Sequence, residues 1–131
     1  MFATFSKEHS FEDMSLLLLT THSTSACAQD VLNIPPPAPK VFGPLLSVIA
    51  VDSLDDAVGF LRGRDAPLVL YIFTNDTVAA DRIIANTLSG GVLVNDCLMH
   101  LSNPNLPFGG VGASGFGSYK GKWGFEEFSH R

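Results

Sequence analysis

The sequence predicts an α/β fold in which helices cover a small parallel or mixed sheet. Short apolar runs, rich in β-branched residues, alternate with amphipathic helical patterns between residues 45 and 94. The runs are hydrophobic at consecutive positions, which is typical of strands covered on both faces of a sheet. A chain of 131 residues, 46% of them hydrophobic, is long enough to bury one core, so we expect a single domain.

The chain is predicted to divide into residues 1–40, an irregular and proline-rich segment, and residues 41–131, which carry the folded body. Four prolines lie within residues 35–39. Proline favours polyproline II and is excluded from helix interiors and central strands. Earlier in this segment, a capping-box spacing ahead of a leucine run predicts a short helix over residues 14–19.

In the folded body, the first predicted strand leads into an amphipathic helix. Ser53 stands three residues before Asp56, which is the spacing of a helix N-cap. Apolar residues then recur at helical spacing along one face, and Gly63 is placed to end the helix. The three predicted strands are residues 45–51, 68–73 and 92–94.

A second helix is predicted between the second and third strands. Asn75 and Asp76 provide its N-cap, and Ala80, Ile83 and Ile84 share one helical face. A pair of glycines then breaks the chain before the third strand. The interleaved order of strands and helices predicts a three-stranded sheet covered on both sides.

The last third of the chain is predicted to be a glycine-rich loop closed by a short helix. Nine of the twelve glycines lie between Gly90 and Gly124, where they allow tight turns and close approach of backbone segments. We expect the closing helix to span about residues 118–128, with Trp123 and Phe128 as its buried anchors.

Residues 110–115 spell the G-x-G-x-x-G pattern of dinucleotide-binding loops. That motif needs a strand before the first glycine, a helix starting at the last, and an acidic residue about 20 positions further on. Here a turn sequence, residues 103–107, precedes the pattern, and this sequence has no acidic residue at that distance. The pattern therefore does not predict a dinucleotide site.

No complete catalytic or metal-binding set is predicted from the residue types alone. Cys97 follows the third strand, with His100 three positions away. That spacing in a loop does not by itself supply the base or positive field that activates a thiolate. Two ligands are also fewer than the three or four that zinc requires. We predict that Cys97 is an inert thiol and that there is no metal site.

The composition excludes several classes of protein. The net charge of −5 argues against a nucleic-acid surface, which needs clustered Lys and Arg. No apolar run approaches the roughly 18 residues of a membrane helix. Two cysteines do not make a disulfide framework, and acidic residues replace the positive start of a secretory signal, so we expect a cytoplasmic protein. Since only 16% of residues are charged, either the chain is mostly core or part of its surface is expected to meet a partner.

Three motifs, in order, resemble the C-terminal part of an aldehyde dehydrogenase. They are Val41-Phe42-Gly43-Pro44, Gly90-Gly91-Val92-x-Val94-Asn95-Asp96, and the run from Leu106-Pro107-Phe108-Gly109-Gly110 to Ser118-Tyr119. The ending from Gly121 to Arg131 resembles the class 3 branch, which includes fatty and aromatic aldehyde dehydrogenases. The resemblance covers residues 41–131 and implies a partial catalytic domain of that family.

The resemblance implies oxidation of aldehydes to carboxylic acids with NAD or NADP. In the family, a cysteine thiolate attacks the aldehyde, hydride passes to the nicotinamide, and a glutamate-activated water hydrolyses the thioester. Those groups and the dinucleotide-binding fold lie upstream of the segment resembled here. Cys97 is outside the nucleophile's motif, so no catalytic residue is assigned, and this chain alone is expected to be inactive.

The resemblance carries two site residues over to this sequence. Phe42 matches the phenylalanine beside the nicotinamide, and Phe108 matches an aromatic residue that lines the substrate tunnel, flanked by residues 100–106. Lys40 stands where the family motif has a glutamate at the nicotinamide ribose, and an ammonium group cannot accept the ribose hydroxyls. Cofactor binding is therefore expected to be weakened. The alternative role for both phenylalanines is core packing.

Three hypotheses stay open. The first is the C-terminal part of a class 3 aldehyde dehydrogenase, acting on an aldehyde substrate. The second is a non-catalytic assembly module, which forms a homo-oligomer or pairs with full-length subunits through the family's dimer surface. The third is an incomplete gene model whose first 40 residues are not native to the fold.

Overall fold

The structure, a computed structural model, describes residues 2–6, 17–20 and 47–130. Within these ranges the strands and helices are β1 (Phe2–Ser6), β2 (Leu17–Thr20), β3 (Ser47–Val51), α1 (Leu54–Arg62), β4 (Val69–Phe73), α2 (Thr77–Asn86), β5 (Gly91–Val94) and α3 (Gly121–Glu127). Two 3-10 turns, Met99–Leu101 and Gly112–Ser114, lie between β5 and α3. No helix in the described ranges is long and apolar enough to cross a membrane.

The strands form one five-stranded mixed sheet in the order β3-β1-β2-β4-β5. The outer pairs, β1 with β3 and β4 with β5, are parallel. The inner strand β2 runs antiparallel to both of its neighbours. The α/β class and the mixed sheet with interleaved helices are therefore confirmed.

The sheet is wider than the three strands predicted, because β1 and β2 come from the segment expected to be irregular. The prediction of irregular structure is wrong for these two stretches, and the predicted helix over residues 14–19 is wrong from Leu17 onward, where β2 begins. A run of leucines suits a helix as well as a strand, so its local propensity does not decide. Pairing does: β1 and β2 lie between β3 and β4 and satisfy the backbone groups of both.

Both predicted helices of the folded body form, with the predicted caps. The backbone N–H of Asp56 donates to Ser53 Oγ at 3.1 Å at the start of α1. The N–H of Gly63 donates to the Gly59 carbonyl at 3.1 Å, so α1 ends where predicted. At the start of α2, Asp76 Oδ1 accepts from two successive backbone N–H groups, at 2.9 and 3.1 Å.

The core lies between β4 and the two helices. Leu70 and Ile72 on one face of β4 pack with apolar side chains of α1 and α2, and the cluster consists of Ala57, Val58, Leu70, Ile72, Ala80 and Ile83. Tyr71 points to the opposite face, yet only 1% of it is exposed. Strand β4 is therefore buried on both faces, as its continuous apolar sequence predicts.

The predicted closing helix forms as α3, although one of its predicted anchors is wrong. Trp123 is half-buried, whereas Phe128 is 92% exposed. Helix α3 has only seven residues and ends at Glu127, so Phe128 falls at its C-cap. At this position the Phe128 side chain is directed to solvent instead of the core.

Two adjacent isoleucines of α2 provide a matched test of this core. Ile83 is 0% exposed and Ile84 is 42% exposed, so only the first loses packed neighbours when truncated. We expect Ile83→Ala to lower the free energy of unfolding by about 2–5 kcal/mol. The control Ile84→Ala is expected to cost less than about 1 kcal/mol. Urea unfolding followed by circular dichroism measures both, and equal losses would contradict the described packing of α2.

Candidate functional site

The candidate site is a row of four aromatic rings on the face of the sheet opposite the core. Tyr71 in β4 contacts His100 with ring centroids 6.0 Å apart. His100 contacts Phe108 at 5.4 Å, and Phe108 contacts Tyr119 edge to face at 5.6 Å. We refer to these four residues as the ring row. It joins a buried strand to the glycine-rich loop, and it contains Phe108, the predicted substrate-site residue.

The loop that carries His100 is fixed by the junction at the ends of β4 and β5. Asn95 has a positive φ of 56°, which turns the chain out of β5. Its amide accepts from the Thr74 N–H at 2.9 Å and donates to the Thr74 carbonyl at 3.0 Å. Its own N–H donates to Ile72 O at 2.7 Å. The direction in which the chain leaves β5 toward His100 is therefore set by three hydrogen bonds to the end of β4.

Phe108 is held by its backbone as well as by its ring. Its N–H and carbonyl form an antiparallel bridge with Tyr119, with N–O distances of 3.0 and 2.9 Å. The next residue, Lys120, has a φ of 93°, which a residue with a side chain rarely adopts. Its ammonium lies 5.5 Å from the Phe108 ring centroid and donates to the carbonyls of His100 and Leu101. Lys120 therefore ties the two sides of the site together.

A depression of about 380 Å³ adjoins the ring row. Four aromatic side chains contribute to its lining, namely Phe108, Phe116, Tyr119 and Phe128. Glu127 is a charged residue in the lining. Apolar walls with few polar groups are typical of sites that hold the hydrocarbon part of a small ligand. A larger groove of about 560 Å³ elsewhere on the molecule is lined by several charged residues and contains no residue of the ring row.

Burial sets the protonation of the two titratable rings. It lowers the pKa of His100, and the positive charge of Lys120 lowers it further, so the imidazole is neutral at pH 7. Burial raises the pKa of Tyr71, although a hydrogen bond from the Leu98 backbone partly opposes this shift. Both rings are therefore uncharged near neutral pH, which suits an apolar wall.

The glycine-rich segment makes several hydrogen bonds within itself. The backbone N–H of Val111 donates to Ser114 Oγ at 2.9 Å, and the Gly115 N–H donates to Gly112 O at 3.2 Å. A Cβ placed on Gly110 would collide with the Ser114 carbonyl. A phosphate site needs unpaired N–H groups directed at the ligand. The N–H groups of Val111, Ser114 and Gly115 are paired within the segment, so these three are not directed at a ligand.

Cys97 and His100 do not form a catalytic pair. Both His100 ring nitrogens are inaccessible, and neither has a hydrogen-bond partner among the described residues. Cys97 is exposed, and its backbone N–H donates to Asp96 Oδ1 at 2.7 Å. No group of three or more potential metal ligands occurs in the part of the chain that the structure describes.

The structure places one of the two predicted site residues. Phe108 lies in the ring row, whereas Phe42 and the divergent Lys40 are outside the described residues. The predicted flank of the tunnel, residues 100–106, begins within the ring row at His100. Sequence reasoning missed Tyr71, which looks like a core residue in an apolar strand. It also gave no role to Tyr119, although that residue stands in the third family-like motif.

Comparisons with known proteins identify a family. The model of the aldehyde dehydrogenase family matches residues 38–131. The dimeric NADP-preferring aldehyde dehydrogenase of Mus musculus is 50% identical over 92 residues, covering 70% of this chain and 20% of the relative. The 4,4'-diaponeurosporen-aldehyde dehydrogenase of Staphylococcus aureus is 50% identical over 91 residues, with the same coverage. The chain thus spans about a fifth of the length of these relatives.

Solved structures agree with this comparison. The substrate-bound AldH of Staphylococcus aureus has a TM-score of 0.70 and 40% identity, over 98% of this chain and 27% of that one. The NAD-dependent aldehyde dehydrogenase from Sinorhizobium meliloti has a TM-score of 0.64 and 27% identity, over 74% of this chain and 20% of that one. Both likenesses extend over most of this chain and a minor part of the other.

The close approach of backbone segments can be tested at Gly90. A Cβ there would collide with the carbonyl oxygens of Gly109 and Leu68, both of them backbone atoms. We expect Gly90→Ala to lower the free energy of unfolding by about 1–3 kcal/mol. In the control, Gly59→Ala within α1, the new Cβ meets no described atom within 4 Å. This control should raise the free energy of unfolding by about 0.5–1 kcal/mol. Urea unfolding measures both variants, and a change in the same direction for both would contradict the close approach at Gly90.

Proposed function

This chain belongs to the aldehyde dehydrogenase family, and from that membership we propose that its ring row forms an apolar wall of an aldehyde-binding site. The reaction proposed for the complete site is oxidation of an aldehyde to a carboxylic acid with NAD or NADP. The observation that carries the proposal is the position of Phe108, which lies between His100 and Tyr119 and faces the aromatic-lined depression. The substrate-tunnel role expected from its motif is compatible with that position.

The proposed contribution of these residues is binding and orientation. The Phe108 and Tyr119 rings offer apolar surface to the hydrocarbon part of an aldehyde, which gains free energy when it leaves water. The neighbouring imidazole adds no charge to this wall near neutral pH, because burial and Lys120 lower its pKa. The nucleophile and the glutamate base of the family belong to other motifs, and Cys97 takes no part in the proposal.

The cofactor is proposed to bind away from the glycine-rich loop. The N–H groups of Val111, Ser114 and Gly115 are paired within that loop and are not directed at a phosphate. The proposed contact is Phe42, beside the nicotinamide, by resemblance alone. Lys40 in place of the motif glutamate is proposed to weaken it. The choice between NAD and NADP stays open, because the name of the Mus musculus relative describes that protein only.

A second candidate function is assembly, and the exposed aromatic residues near the C-terminus favour it. Phe116 is 96% exposed, Phe125 is 75% exposed and Phe128 is 92% exposed. We call these three the exposed aromatic patch. Large exposed aromatic side chains are frequent at protein interfaces. We propose that the chain forms a homo-oligomer or pairs with a longer subunit of the class 3 branch in the cytoplasm.

The substrate role of Phe108 can be tested in a chimera. Residues 41–131 would replace the matching segment of the Mus musculus relative, and NADPH formation would be followed with aliphatic aldehydes of increasing length. We expect Phe108→Ala to raise KM by roughly tenfold for long aldehydes, because it removes a contact worth about 1–3 kcal/mol, while kcat changes little.

Two controls accompany the chimera. Val78→Ala changes a side chain on α2 that is 73% exposed and outside the ring row, so KM should be unchanged. The isolated 131-residue chain is expected to form no NADH or NADPH with any of the aldehydes. An unchanged KM in Phe108→Ala, with the chimera active, would refute the proposed wall.

The assembly candidate is tested on the chain itself. We expect size-exclusion chromatography with light scattering, at micromolar concentration, to show oligomers or aggregates, because exposed aromatic surface recruits other chains. Phe125→Ser combined with Phe128→Ser should shift the chain toward monomer. Leu88→Ser is the control, since Leu88 is 65% exposed but is not part of the exposed aromatic patch. A monomeric wild-type chain would exclude self-association through the patch.

A further inference from the structure

We propose that His100 is a positioning residue for Phe108, so that the shape of the imidazole ring decides which aldehydes the apolar wall accepts. The inference rests on the proposed function, which it deepens from a binding wall to the residue that sets its geometry. It stands on the ring contacts, the inaccessible imidazole nitrogens and the Lys120 hydrogen bonds.

The ring contacts connect Phe108 to the buried strand β4. Tyr71 is 1% exposed in the buried strand β4, so its ring has little room to move. His100 lies between Tyr71 at 6.0 Å and Phe108 at 5.4 Å, measured between ring centroids. Phe108 lies on a loop, which by itself fixes a side chain less well than a strand does. Because His100 packs between these two rings, it restricts the position of the Phe108 ring relative to Tyr71.

The ring nitrogens indicate that His100 acts through the shape of its ring and not through hydrogen bonds. Nδ1 and Nε2 of His100 are both inaccessible to solvent, and neither meets a hydrogen-bond partner within the described residues. A neutral imidazole has one donor and one acceptor, and leaving both unpaired is unfavourable. An apolar ring of similar size would avoid that cost and still contact Tyr71 and Phe108. His100→Phe is therefore expected to preserve the role.

Lys120 keeps the His100 backbone in place when the side chain is changed. Its ammonium donates to the His100 carbonyl at 3.5 Å and to the Leu101 carbonyl, both within the 3-10 turn. The same ammonium lies over the Phe108 ring. Truncation of His100 thus leaves a gap between Tyr71 and Phe108 that the turn cannot close by moving inward. The Phe108 ring is then free to tilt into the gap.

The first experiment uses the full 131-residue chain and needs no activity. The urea midpoints of wild type, His100→Ala, Phe108→Ala and the double variant form a thermodynamic cycle. We expect the two single shifts not to add, because each truncation removes the same ring contact. Additive shifts would show that the two side chains are energetically independent and would overturn the proposal. Val78→Ala paired with His100→Ala serves as the additive control.

The second experiment measures kcat and KM in the chimera that carries residues 41–131. His100→Ala should raise KM for a long aliphatic aldehyde by about tenfold, a larger change than it makes in kcat. His100→Phe should restore the wild-type KM. If His100→Phe behaves like His100→Ala, the shape of the ring does not set the position of Phe108 and the proposal is wrong. An unchanged KM in His100→Ala would overturn it as well.

The two experiments separate this inference from the proposed function. If the chimera oxidises no aldehyde but the cycle in the full chain is non-additive, the proposed aldehyde site is refuted and the coupling between His100 and Phe108 is supported. An active chimera with an additive cycle would remove the positioning role but leave the family activity.

Discussion

Burial of β4 on both faces is the constraint on which the rest of the structure depends. One face, with Leu70 and Ile72, packs against the two capped helices, and the other presents Tyr71 to the ring row. A strand in this position has apolar residues at consecutive positions, so its sequence lacks the alternation of a half-exposed strand. The same strand therefore supports the core on one side and the candidate site on the other. A change in its register by one residue would exchange these two sets of side chains.

Glycines in the last third of the chain allow backbone segments to pack closely together. At Gly90 and Gly109, backbone passes so close to a neighbouring segment that any Cβ would collide with a carbonyl oxygen. Such contacts bring the segment around Phe108 onto the end of the sheet, within reach of His100. The G-x-G-x-x-G pattern is therefore a consequence of close packing here. In a dinucleotide-binding loop, backbone N–H groups of this sequence pattern bind a phosphate. Here several of them bond within the segment instead.

The residue types in the candidate site limit the chemistry that these residues can perform. It spans about a fifth of the length of the curated relatives it matches, and its described site residues are aromatic or hydrogen-bonding groups without a nucleophile. Such residues suit the proposed role in binding and orientation. Phe116 and Phe128 of the exposed aromatic patch line the same depression as Phe108 and Tyr119 of the ring row. The proposed assembly surface and the proposed substrate wall therefore adjoin.

The sequence by itself determined the local elements of residues 47–130. Ser53 and Asp76 cap their helices through side-chain oxygens only two or three residues away, so such signals are visible in a short window. Pairing over long distances was not visible: β1 and β2 have no turn signal or alternation, and they became strands because β3 and β4 offered unpaired edges. The motif pointed to Phe108, but its contacts with His100, Tyr71 and Tyr119 arise only in the fold. Side chains far apart in the chain meet only when tertiary packing brings their backbones together, and tertiary packing alone decided the candidate site.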